Sequence, residues 1–209
     1  MRARTRTWRV GGILLAVAGV LTLVGGQYVL DPFAMRITVD LFWATGIAVL
    51  AWGLSRDASV VARRPLGMTA LAVVALTPLV VDTILLVLPD PVSASDPSVA
   101  AVSGLVWTGT FVSTAAAFVA AAQIARLGAV PRRWRWTPMW ALGLSLGAAV
   151  LQYAVVALLV QTGAGQDALV PTTLLGVVAA LVPTLGLGIA ALLAAAGERP
   201  ESVDVYRPV

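Results

Sequence analysis

Residues 66–88 read LGMTALAVVALTPLVVDTILLVL, 23 positions in which Asp82 is the only formal charge. A helix rising ~1.5 Å per residue needs about 20 such residues to cross ~30 Å of hydrocarbon. A carboxylate at mid-helix opposes insertion by up to ~3 kcal/mol, whereas each Leu, Ile or Val favours it by roughly 0.3–0.6 kcal/mol. About a dozen such side chains in this stretch outweigh one aspartate, so the segment reads as a transmembrane helix.

Five more stretches share this character: 10–30, 37–54, 99–127, 138–161 and 168–196. Together they predict an all-α, polytopic bundle of six transmembrane helices in a single domain covering residues 1–209, with the bilayer as its first partner. Composition agrees. The chain is 59% hydrophobic and 11% charged, with a mean hydropathy of +0.93, far from the roughly one-quarter charged residues of a soluble domain. The connections, such as Pro89-Asp90-Pro91, are too short to fold separately. The Arg-rich start followed by an apolar run imitates a secretion signal. That run is long for one and no clear small-residue cleavage site follows, so it reads as the first span.

Arginine placement sets the orientation. Counting along alternate sides, thirteen of the fourteen arginines fall on one side, and Arg36 alone falls on the other with Asp31, Asp90, Asp96 and Asp167. The positive-inside rule then places both termini and the 55–65 and 128–136 turns in the cytoplasm. Trp8, Trp52, Trp134, Trp136 and Trp140 fall near the same boundary, where indole prefers to sit. This sorting also accounts for the net charge of +4 without nucleic acid as a partner, and Arg132-Arg133-Trp134-Arg135-Trp136 reads as an interfacial anchor.

Lys, His, Cys and Asn are absent. The chain therefore has no disulfide, no thiolate metal site, no Ser-His-Asp triad, no bis-histidine haem and no lysine for a retinal Schiff base. Gly143-Leu144-Ser145-Leu146-Gly147 matches G-x-S-x-G, but it lies mid-helix in a chain without a histidine base, so the match carries no catalysis. A Gln-Tyr pair recurs at 27–28 and 152–153 without aligned neighbours, and supports no internal repeat. No catalytic residue, cofactor or metal site is implied.

Small residues at four-residue spacing mark faces where helices can approach closely, within the bundle or against another subunit. These rows are Ser113, Ala117 and Ala121; Gly143 and Gly147; and Gly176, Ala180 and Gly188. Pro78 and Pro183 lie inside spans, where each removes a donor and frees the carbonyl four residues earlier, Val74 or Ala179, so kinks are expected.

One polar cluster remains. Gln27, Tyr28, Arg36, Asp40, Asp82 and Gln152 all count to the outer half of their helices. Asp82 points toward the membrane centre and needs a partner or a proton. Asp40 reads as a helix-start residue facing the outer interface. Two roles fit the cluster: an Arg36–Asp82 or Arg36–Asp40 bridge that fixes packing, or an outward-opening proton or cation site. The first makes the chain a non-enzymatic subunit, scaffold or accessory module, acting through a homo-oligomer or a membrane-protein partner. The second makes it a small transporter or channel. An enzyme ranks behind both, since Asp31, Asp40 and Asp82 lack paired-carboxylate spacing.

Overall fold

A computed structural model describes residues 2–25, 32–55, 58–88, 97–128, 130–132, 134–162 and 170–197. They form α1 (Arg2–Gly25), α2 (Pro32–Trp52), α3 (Pro65–Val87), α4 (Pro97–Leu127), α5 (Thr137–Thr162), α6 (Val170–Leu181), a π-helical turn (Val182–Gly186) and α7 (Leu187–Ala196). No strand occurs among the described residues. Six helical stretches, the last running through α6, the π turn and α7, are long and apolar enough to cross a membrane. The chain is an all-α six-span bundle of the multi-pass membrane type.

The helices start where proline allows rather than where the apolar runs begin. Pro32, Pro65 and Pro97 stand first in their helices and Pro138 second, positions at which the missing N–H would have no intrahelical partner anyway. As a result α2 begins at Pro32, earlier than the apolar run from 37. The arginine-bearing residues 2–9 are likewise helical and extend α1.

Each span packs on the next, and α1 also packs on α7 and the π turn, so the six form a closed ring. The α4–α5 seam is its thinnest join. The α1–α7 contact is at backbone level. A Cβ added to Gly188 would lie 2.7 Å from the Ala16 nitrogen and 2.8 Å from the Gly12 oxygen. Of the small-residue rows, Gly176 packs under Gln152 of α5, 3.0 Å from its Nε2 by the same measure. Ala180 is half-buried. Gly143 and Gly147 face outward with open space where a Cβ would be, so that row joins nothing among the described residues.

The two internal prolines act differently. At Pro183 the helix widens into the π turn, with the Leu187 N–H donating to the oxygens of Thr184 and Val182. This is the single-turn form in which π geometry usually occurs. At Pro78 the helix continues, and the carbonyl it frees is used: the indole Nε1 of Trp43, on α2, donates to the Val74 oxygen at 3.3 Å. Nearby hydroxyls turn inward to their own helix, as Thr77 does to Val73 and Thr83 to Leu79.

At the arginine-rich end, the described residues of the connection after α2, 53–55 and 58–64, form a plug. Ala58, Ser59 and Val61 are buried. Trp8 Nε1 donates to the Ala58 oxygen at 3.2 Å, and the Leu54 N–H donates to Thr7 Oγ1 at 3.0 Å. Ala62 and Arg63 adopt φ of 50° and 51°, a left-handed conformation that disfavours residues with a Cβ by roughly 1–2 kcal/mol each. From there Arg63 reaches the last carbonyls of α2, with Nε on the Trp52 oxygen at 2.9 Å and Nη2 on the Gly53 oxygen at 3.1 Å. Arg135 caps α4 through the Ala125 oxygen. Both arginines satisfy carbonyls that a helix end leaves open, beyond setting charge asymmetry. The tryptophans divide as well: Trp52, Trp136 and Trp140 are exposed, whereas Trp8 is a buried pin.

Candidate functional site

The acids among the described residues are Asp40 and Asp82, and the fold brings them together at the end opposite the arginine-rich plug. Arg36 joins them. Its Nε donates to Asp82 Oδ2 at 3.0 Å and its Nη2 to Oδ1 at 2.6 Å, a two-pronged guanidinium–carboxylate pairing that fixes both planes. The pair is lopsided in exposure: the Asp82 side chain is 12% exposed and that of Arg36 60%. The guanidinium therefore lies over the carboxylate as a lid.

Asp40 departs from the sequence reading. It stands about two turns into α2, because the helix begins at Pro32 rather than near 37. Its carboxyl lies beside that of Asp82, with Arg36 close to both. Asp40 Oδ2 is buried, with no hydrogen-bond partner among the described residues. Asp40 and Asp82 thus form a carboxyl pair under one arginine.

The other cluster candidates do not assemble here. Gln152 packs on Gly176 at the α5–α6 contact, away from the α2–α3 pair that carries the acids. Gln27 and Tyr28 lie outside the described residues. No group of three potential metal-ligating His, Cys, Asp or Glu side chains occurs among the described residues.

A second feature left no mark in the sequence reading. A cavity of about 410 Å³ occupies the half of the bundle next to the arginine-rich plug, and all six spans contribute to its wall. Trp43 and Val74 lie toward its upper level, while Trp8, Val60 and Val130 line its base. From Val74 to Asp82 is about 12 Å along α3, so chamber and carboxyl pair are separate. Among the described residues no ionisable side chain lines the chamber. The row Ser113, Ala117 and Ala121, read as a packing face, lines it instead, opposite Ala141, Ser145 and Ala149 of α5. These two rows face each other across space. The helices meet farther out through Trp107 and Tyr153, whose ring centroids are 5.4 Å apart.

A volume of about 410 Å³ falls within the ~300–1,000 Å³ of small-molecule sites. Apolar chambers of this kind do not hold water well, because water needs two to four polar partners.

Comparison of the chain with protein-family models, curated proteins and solved structures returns no match. The site must be interpreted from its own chemistry.

Proposed function

We propose that this chain is a non-enzymatic membrane subunit or scaffold, with both termini in the cytoplasm, whose fifth helix docks another transmembrane helix. The observation that carries this reading is the outward face of α5. None of the residues in its apolar window is buried. A Cβ added at Gly143 or Gly147, one turn apart on that face, would meet nothing within 4 Å among the described residues. A position that only meets lipid has no use for glycine, which weakens a helix and contributes no side-chain contact. Paired small residues at this spacing let a second helix approach closely. The closed Arg36–Asp82 pairing supports the same reading, since it gives the acid a packing role. Arginine asymmetry supports the orientation.

The absence of cysteine makes the test direct. Gly143→Cys and Gly147→Cys variants, oxidised in native membranes, should form a crosslinked dimer or a crosslink to a membrane partner, and Gly147→Leu should weaken the assembly. A chain that is monomeric in mild detergent and crosslinks to nothing in membranes would remove this reading.

One observation favours a second reading, a small transporter or channel for a proton, cation or small solute. It is the buried Asp40 oxygen beside Asp82, since carboxyls within a membrane often mark ion paths. Reconstituted vesicles would then show a flux that Asp82→Asn abolishes. Flux of an established substrate unchanged in that variant would end this alternative.

A further inference from the structure

We infer that the chamber beside the arginine-rich plug holds one acyl chain of a membrane phospholipid, admitted sideways between α4 and α5. This stands apart from the α5 docking face, which uses the opposite side of that helix.

The wall settles the class of occupant. Its side chains are mostly aliphatic or aromatic, with a few Ser and Thr hydroxyls and no charge. Of the wall hydroxyls, Ser145 Oγ is buried with no hydrogen-bond partner among the described residues, a single polar point in a lining that is otherwise largely hydrocarbon. An ion or sugar would leave most of its polar groups without partners there, whereas a hydrocarbon chain brings none that need one.

The boundaries settle the source. Toward the arginine-rich end the lining residues Trp8 and Val130 are themselves buried, and Trp8 is pinned to the Ala58 carbonyl. A solute from that aqueous side has no direct way in. The seam that packs least in the ring is α4–α5. Trp107 and Tyr153 join it at one level, and the 128–136 connection joins it at the other. Between those joins both helices turn small residues toward the chamber: Ser113, Ala117 and Ala121 on one side, Ala141, Ser145 and Ala149 on the other. What lies outside a seam between two membrane-spanning helices is lipid. The adjoining arginine-rich end, with Arg132 and Arg135 close by in the connection, would attract the anionic headgroup of the same lipid.

The test uses the full chain reconstituted in vesicles of phosphatidylcholine and phosphatidylglycerol, with a fraction of the phosphatidylglycerol carrying a photoreactive diazirine on one acyl chain. After illumination, labelled residues are mapped by mass spectrometry. Label is expected on the inward residues Ala121, Ala141 and Ser145 as well as on the outward Val150 and Leu158. In Ala117→Phe and Ala149→Phe, inward label should be lost while outward label persists, which also reports that the helices still insert. Ala117→Leu replaces either variant that fails to fold. Label confined to outward residues in the wild type, or inward label undiminished in the folded filled variants, would overturn the assignment.

Discussion

Removing either partner of the Arg36–Asp82 pair should have unequal consequences, and the structure gives the direction. In Arg36→Met, the Asp82 carboxylate stays almost fully enclosed, with the Asp40 carboxyl beside it and its cation gone. Breaking a buried pair from one side costs ~3–5 kcal/mol. Because the Arg36 side chain is 60% exposed, water reaches the vacated side, and a loss of about 2–3 kcal/mol is the reasonable expectation. In Asp82→Asn, by contrast, the residue left without its charge partner is the exposed guanidinium, which water and lipid headgroups can solvate. The amide oxygen can still accept one of its two hydrogen bonds, and repulsion from Asp40 disappears. That variant should lose no more than about 1 kcal/mol.

For a chain of this length, each kcal/mol moves the unfolding midpoint by roughly 2–4 °C. Arg36→Met should therefore melt about 4–12 °C below wild type and Asp82→Asn within about 4 °C of it. Tryptophan fluorescence during heating in a fixed detergent provides the measurement. The double variant should be more stable than Arg36→Met alone, since it removes the stranded acid. If Asp82→Asn proves the more damaging single change, or if adding it to Arg36→Met lowers the midpoint further, the lid-over-acid reasoning is wrong.

Trp43→Phe should lower the midpoint by about 2–4 °C through loss of the bond to the Val74 oxygen, a contribution near 1 kcal/mol. In a Pro78→Ala background the same change should matter less, because Ala at 78 supplies an intrahelical N–H to that oxygen; additive midpoints would refute the link. Gly188→Leu should block the α1–α7 crossing and prevent recovery of folded protein, while Gly143→Leu should leave the melting of the isolated chain unchanged, as judged by gel filtration and thermal scans. Ala62→Gly should raise the midpoint slightly, since relief of ~1–2 kcal/mol of left-handed strain exceeds the ~0.5–1 kcal/mol entropic cost of glycine; a lower midpoint would show that strain is not stored there.

The spans were legible because hydropathy over about 20 residues has one physical meaning in a chain so poor in charge. Their starts were less so, since an apolar count ignores the proline that opens a helix. That same oversight displaced Asp40: once α2 begins at Pro32, the residue moves from the first turn to the third and its carboxyl falls against Asp82. The Arg36–Asp82 pairing was foreseeable, because Arg36 was the lone arginine counted to its side and Asp82 the acid most in need of a partner. Grouping Gln152 with them failed because depth along a helix says nothing about which neighbour it faces. Gly12 and Ala16 show the four-residue spacing in the sequence, but only the fold supplies Gly188 as the residue that packs against them.

The chamber was invisible for a deeper reason. Small residues permit close approach but do not compel it, so the row Ser113, Ala117 and Ala121 fits equally well with a tight crossing and with the wall of a void. What decides between them is whether bulk elsewhere holds the axes apart. Here Trp107 and Tyr153 join α4 and α5 at one level, and the connection bearing Trp134 spans them at the other. The alanines between are left facing space. This makes α5 a helix with two unlike surfaces: alanine and serine toward the chamber, glycine and large aliphatics outward. Because 141, 145 and 149 share no position with 143, 147 and 150, filling the chamber and spoiling the docking face are separable operations. Inward photolabel should respond to the first set and assembly to the second. A single substitution that abolished both readouts would mean that α5 had moved as a whole.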